Sequence, residues 1–136
     1  MYDFTGVPHY QVEFVWEQVT HFIQAALDRT EGELDLSDIH HDLINRNMQL
    51  WVLTDNGEII GALVTQIMEY PKMTACRIVA MGGEVSGEFD PVDEILSEWA
   101  KELECERMEI VGRKGWTRAI KHLGYNEAYS YVTKPL

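Results

Sequence analysis

The chain has 136 residues, 46% of them hydrophobic, which suits one compact domain, spanning 1–136, and argues against disorder. Its 23 acidic and 11 basic residues give a formal net charge of −12, a field that opposes nucleic acid and anionic membrane as partners. The apolar runs are far shorter than a bilayer span, and the opening MYDFTGVPHY lacks the basic start and apolar centre of a secretion signal, so a soluble, intracellular protein is expected.

In residues 10–28, Val12, Val15, Trp16, Val19, Phe22, Ile23, Ala26 and Leu27 recur at helical spacing, with Glu13, Glu17, Gln18, His21 and Gln24 opposite them. This predicts an amphipathic helix with one buried face. A shorter helix is expected from about Ser37, read as its N-cap, to Arg46, with Ile39 and Leu43 on its apolar side. The period then changes. QLWVLT and EIIGALVTQIME flank Asp55-Asn56-Gly57 as two strands around a tight turn, and TACRIVAMGG follows Tyr70-Pro71-Lys72 as a third strand antiparallel to the second.

Asp90 is the expected cap of a third helix, with Pro91 at its first position and Val92, Ile95, Leu96, Trp99, Ala100 and Leu103 on its apolar face. RMEIVG is the next strand, parallel to TACRIVAMGG because a long helix separates the two. A helix over about 114–123 ends at Gly124, with Trp116, Ala119, Ile120 and Leu123 packing on the sheet, and EAYSYVT closes the chain as a last strand. Residues 2–5 offer a short first strand. Cys76 and Cys105 have no metal-binding or redox spacing around them and read as reduced thiols.

Charge is unevenly distributed. Nine acids and one Lys lie between Gly83 and Glu106, whereas Arg113, Lys114, Arg118 and Lys121 fall within 112–124 with no acid. Two solvated faces of opposite sign account for this; the sharper alternative is a protein-partner or anion contact on the basic segment. Arg113 sits where a helix dipole disfavours a cation, which points to a carboxylate partner or an anion. His40 and His41 beside Asp38 and Asp42 do not make a metal site, since adjacent histidines point to different sides of a helix. Trp51 and Tyr70 read as core aromatics of the strands.

The element order resembles the GNAT (Gcn5-related N-acetyltransferase) superfamily: an α+β fold whose mixed central sheet, an antiparallel meander plus a parallel crossover strand, is flanked by about four helices. The combination of QLWVLTDNGEIIGALVTQIMEYP, CRIVAMGG, EWAKELECERMEIVGRKGW and HLGY resembles, in particular, short GNAT-like proteins encoded by tailed bacteriophages. The resemblance implies acetyl-CoA as cofactor if the chain is an enzyme, with the pantetheine arm held by the backbone of Ile78, Val79, Ala80 and Met81. It implies a phosphate loop in which Gly82, Gly83 and Gly87 take part. That loop departs from the family pattern: it has no basic residue, and Glu84, Glu88 and Asp90 bring negative charge instead. The family's acidic Tyr, four residues before the closing Gly, is replaced by Ile120. Glu69 and His122 are the remaining candidates for proton transfer.

Two readings follow. One is a degenerate, non-catalytic module without a cofactor, acting through a protein partner such as another phage structural protein, in the host cytoplasm or the virion. The alternative is an acetyl-CoA-dependent N-acetyltransferase with an atypical phosphate loop.

Overall fold

A computed structural model of the chain describes residues 1–112 and 115–136. The elements are β1 (Tyr2–Val7), a 3-10 turn (His9–Gln11), α1 (Val12–Leu27), α2 (Leu36–Ile44), β2 (Gln49–Asp55), β3 (Glu58–Glu69) and β4 (Thr74–Gly83). Then come α3 (Phe89–Glu102), β5 (Arg107–Ile110), α4 (Trp116–Ile120) and a second 3-10 turn (Lys121–Leu123). The strands form one sheet in the order β1-β2-β3-β4-β5. All neighbours are antiparallel except β4 and β5, which are parallel as the intervening helix requires.

Each sheet face has its own core. On one, Val12, Val19, Ile23 and Leu27 of α1 and Ile39 and Leu43 of α2 meet Leu50, Val52, Ala62, Val64 and Ala80. On the other, Phe89, Val92 and Leu96 of α3 and Ile120 of α4 meet Phe4, Trp51, Leu53, Leu63 and Ile78. Burial on both faces explains why the central strands read as nearly continuous apolar runs. One polar chain crosses the second core: Trp51 Nε1 donates to Thr65 Oγ1 at 3.1 Å, and Thr65 Oγ1 donates to Gln49 Oε1 at 2.8 Å. Trp51 is indeed core, as its sequence position suggests, and also stacks on Phe4.

Several expectations are corrected. The cap of α2 is Asp35, not Ser37: Asp35 Oδ1 accepts from the Asp38 N–H at 2.9 Å, and Asp38 returns the bond to the Asp35 N–H at 3.0 Å. Two interlocking acidic caps satisfy two orphan donors, whereas Ser37 only donates to Asp35. Helix α3 begins at Phe89, so Asp90 lies within its first turn instead of capping it, and no side chain caps this end. Ile95, Leu103 and Ala119, placed on apolar faces by spacing, are exposed. β1 is a full strand paired with β2 from Tyr2 to Val7, longer than the expected remnant. EAYSYVT has no strand pairing among the described residues.

The end of β4 controls how closely α1 lies on the sheet. A Cβ on Gly82 would stand 2.2 Å from the Phe22 carbonyl oxygen, and one on Gly83, where φ is +73°, would stand 2.4 Å from the Ile60 carbonyl oxygen. Helix backbone therefore lies against strand backbone here, a contact open only to glycine. Gly87 differs, since its nearest neighbour to such a Cβ, the Glu84 oxygen, is 3.7 Å away. Gly82→Ala should lower stability by about 1–3 kcal/mol in urea unfolding, and Gly87→Ala should stay within about 0.5 kcal/mol of wild type.

Candidate functional site in the parting of β4 and β5

The chemistry-bearing region starts from an extra residue. Thr65 pairs with Ile78 and Val64 with Ala80, which leaves Val79 as a bulge in β4. A bulge bends its strand and increases its local twist. The parallel ladder to β5 ends at the same level, its last pair being Ile78 and Ile110. From Val79 to Gly83, β4 keeps its partner on the β3 side and has no strand on the other among the described residues. A stretch of backbone N–H and C=O groups thus faces a gap that leads to the loop 84–88 and the first turn of α3.

The far end of this gap is densely packed. Val85 and Phe89 are buried, and Phe89 meets Trp116 edge to face at 5.7 Å, with Tyr125 6.4 Å away. His122 Nε2 lies 2.9 Å from Asp90 Oδ2, tying the turn after α4 to the first turn of α3. Tyr125 Oη donates to Asp93 Oδ1 at 2.6 Å. Burial raises the pKa of Asp93, against the hydrogen bonds from Tyr125 and Ser97, which lower it, and Asp90 adds to the rise. Burial, then the hydrogen bond to Asp93, also raises the Tyr125 hydroxyl, so this phenol keeps its proton and holds α3 to the end of the closing turn. Cys76, on the same side of the sheet, is pushed up to about 12 by burial and then by Cys105 and Glu109, which leaves a neutral, unreactive thiol.

The opposite face carries a polar cluster just short of the point where the strands part. Glu109 on β5 accepts from Tyr70 Oη at 2.9 Å, from Arg77 Nε at 3.1 Å and from an Arg107 terminal nitrogen at 2.7 Å. Arg107 also lies 5.7 Å above the Tyr70 ring. Burial alone would raise the Glu109 pKa, but the bonds from Arg107, Tyr70 and Arg77 outweigh it and hold the carboxyl below its ordinary value. Glu109 is therefore an ionised clamp between β5, β4 and the end of β3, and a weak base. Tyr70, expected in the core, is half-buried and belongs to this cluster. Its members were missed in the sequence because only the register that sets Arg77 beside Glu109 brings them together. Arg107-x-Glu109 on one strand face was the sole local signal.

The sequence candidates separate. Ile78 is still paired with Ile110, Val79 to Met81 follow along the unpaired edge, and Gly82, Gly83 and Gly87 lie at or beyond its end. Glu69 pairs with Thr74 at the other end of β4, about 30 Å from the loop at strand rise. It borders an open hollow of about 650 Å³ with Asp42, Gln49 and Leu103. His122 sits by α3, engaged with Asp90. Arg118 and Lys121 are exposed on the closing turns, and Arg113 and Lys114 lie outside the described residues. His40 pairs with Glu13 and lies against Trp16, while Asp38 accepts from the Asp35 N–H, so these groups do not converge with His41 and Asp42. Among the described residues no group of three His, Cys, Asp or Glu is arranged to hold a metal ion, and no helix is long and apolar enough to cross a membrane.

The clamp has a defined pH signature. Because the folded pKa of Glu109 is depressed, its stabilisation is complete above the ordinary value of 4.5 and is lost as pH falls through the folded pKa. Glu109→Gln should lower stability by about 1–3 kcal/mol at neutral pH in urea unfolding. The gap from wild type should narrow as pH drops below 4.5; a constant gap would show that the charge is not its source.

No protein-family model matches the sequence, and no curated protein matches it. Solved structures do. A predicted acetyltransferase from Clostridium acetobutylicum, solved with acetyl-CoA, is similar with a TM-score of 0.71 at 15% identity, over 99% of this chain and 96% of that one. A ribosomal-protein-alanine N-acetyltransferase from Brucella melitensis gives 0.71 at 11% identity, over 100% and 99%. An aminoglycoside acetyltransferase from an uncultured soil sample gives 0.75 at 13%, over 100% and 99%. With the sheet order, the parallel β4–β5 pair and the placement of α3 and α4, these similarities establish that the chain has the α+β fold of the GNAT acetyltransferases.

Proposed function

We propose that the chain is an acetyl-CoA-dependent N-acyltransferase with an atypical phosphate loop. The observation that carries this reading is the edge of β4 from Val79 to Gly83, which has no strand partner among the described residues and leads to the N-terminal end of α3. An amide-bearing arm fits such an edge as an added strand would, through backbone hydrogen bonds that need no particular side chain. Acetyl-CoA, when bound, supplies the activated acyl group. The helix end adds its dipole; Pro91 has no N–H and that of Glu88 is already bonded to Glu84, so the N–H groups of Phe89 and Asp90, without a side-chain cap among the described residues, are the ones left for phosphates.

The side chains fit the phosphates less well than the backbone does. Glu84, Glu88 and Asp90 surround this helix end, and Asp90 already holds His122. Proton handling is equally limited. Ile120 is apolar and buried, Tyr125 keeps its proton in a hydrogen bond to Asp93, and Glu109 is kept ionised by two arginines. The reading therefore calls for an acceptor amine that arrives neutral and gives up its proton to water as the C–N bond forms and the C–S bond breaks, and a leaving thiolate that takes a proton from water.

A second reading is favoured by that same set of departures: a GNAT fold kept as a non-catalytic module of a phage virion or its assembly, binding another protein through Arg118, Lys121 and their neighbours. Calorimetric titration with acetyl-CoA separates the two. Micromolar binding is expected for the enzyme, and absence of heat at submillimolar ligand would overturn it. Glu84→Gln and Glu88→Gln should each tighten binding about threefold to tenfold at low salt, with the gain shrinking as salt is added.

A further inference from the structure

Three elements end together beside the core that α1 and α2 form, and they leave a hole between them. β1 finishes with Val7 opposite Leu50, and Pro8, which cannot donate to a ladder, leads into the 3-10 turn. α1 begins only at Val12 and α2 stops at Ile44, so neither helix covers this corner. The result is a cavity of about 240 Å³ with an apolar wall of Val7, Pro8, Val12, Leu43, Met48 and Leu50.

The polar side chains that border this cavity can all donate hydrogen bonds. They are Arg46, His9 and Gln49, and no Asp or Glu joins them. Gln49 Oε1 accepts from the Thr65 hydroxyl at 2.8 Å, which leaves its amide N–H groups. Arg46 is exposed and forms no ion pair among the described residues, although the chain has 23 acids. Its backbone is unusual too. The Asn47 N–H bonds to the Asp42 carbonyl at 2.8 Å and the Arg46 N–H to the Leu43 carbonyl at 3.3 Å, the paired closing turn in which glycine normally takes the residue of positive φ. Here that residue is Arg46, with φ of +63°. The strain does nothing for the helix end, since glycine would make the same bonds, and strain of this kind is kept where a side chain has work to do.

We propose that this corner binds a small apolar carboxylate, with its short chain or single ring in the cavity and its carboxylate on Arg46, His9 and Gln49 being further donors. The wall sets the body of the ligand, and an arginine with no acid beside it in that wall sets its charge. The volume lies below the ~300 Å³ at which drug-sized sites begin, which confines the ligand to one ring or a short chain. The site is separate from the edge of β4, because β3 lies between β2 and β4 and places them about 10 Å apart at ordinary strand spacing. It stands whether or not the chain is an acyltransferase.

An NMR titration of the isotope-labelled full chain with hexanoate and with benzoate should give saturable shifts at Val7, Val12, Arg46 and Leu50, with a Kd of about a millimolar or tighter. Acetate, which lacks the apolar body, and hexylamine, which reverses the charge, should each bind at least about tenfold more weakly. Arg46→Gly should weaken hexanoate binding at least about tenfold, while its midpoint in urea should not fall below that of wild type, because glycine suits this turn. Should that variant not fold, Arg46→Gln is expected to show the same loss of binding. Shifts that do not saturate, equal binding of hexylamine and hexanoate, or hexanoate binding unchanged in the folded variant would each overturn the proposal.

Discussion

β4 has to satisfy two neighbours that make different demands, and the extra residue at Val79 is how it does so. Before the bulge the strand is paired on both edges, to β3 and to β5; after it, β3 remains and β5 is gone. The bulge also resets which side chains face which core, since Ile78 belongs to the α3 side while Ala80 belongs to the α1 side. Everything that gives the molecule a candidate site follows from this change. A straight strand would have carried the parallel ladder further and left no gap for α3 to overlook.

The two ends of that gap are held by different physics. At the closed end, Tyr70, Arg77, Arg107 and Glu109 form charge-assisted bonds on the sheet surface, which fix β5 in register. At the other end, contacts are largely apolar and aromatic, with Phe89 between Val85, Trp116 and Tyr125, and the Asp90–His122 pair lies outside them in solvent. The exposed pair contributes little by itself. The aromatic packing is what sets the position of α4 relative to α3, and hence the width of the space beside β4.

Much of the architecture could be read locally. The 3.6-residue spacing gave α1 and α3, the alternation and the Asn56-Gly57 turn gave β2 and β3, and Gly124 ended the last helical segment, with φ of +98°. Caps were less legible. Ser37 and Asp90 both have capping chemistry, yet a nearby acid, Asp35, served α2 better, and Phe89 drew the start of α3 earlier by burying its ring. The last strand failed for another reason. EAYSYVT has the composition of a strand, but a strand exists only where an edge accepts it, and no strand among the described residues pairs with it.

The sequence alone determined the order and type of most elements, the acidic charge, and the absence of a tyrosine at position 120, because these depend on residue identity and short-range spacing. Tertiary structure decided which residues meet. Arg77 and Glu109 are 32 positions apart in the chain and share a hydrogen bond only through the parallel register of β4 and β5. Gly82 looked like part of a phosphate loop, and its environment gives it a steric duty beneath Phe22. Such roles arise from contacts between distant segments, whose geometry is fixed when both cores close on the sheet together.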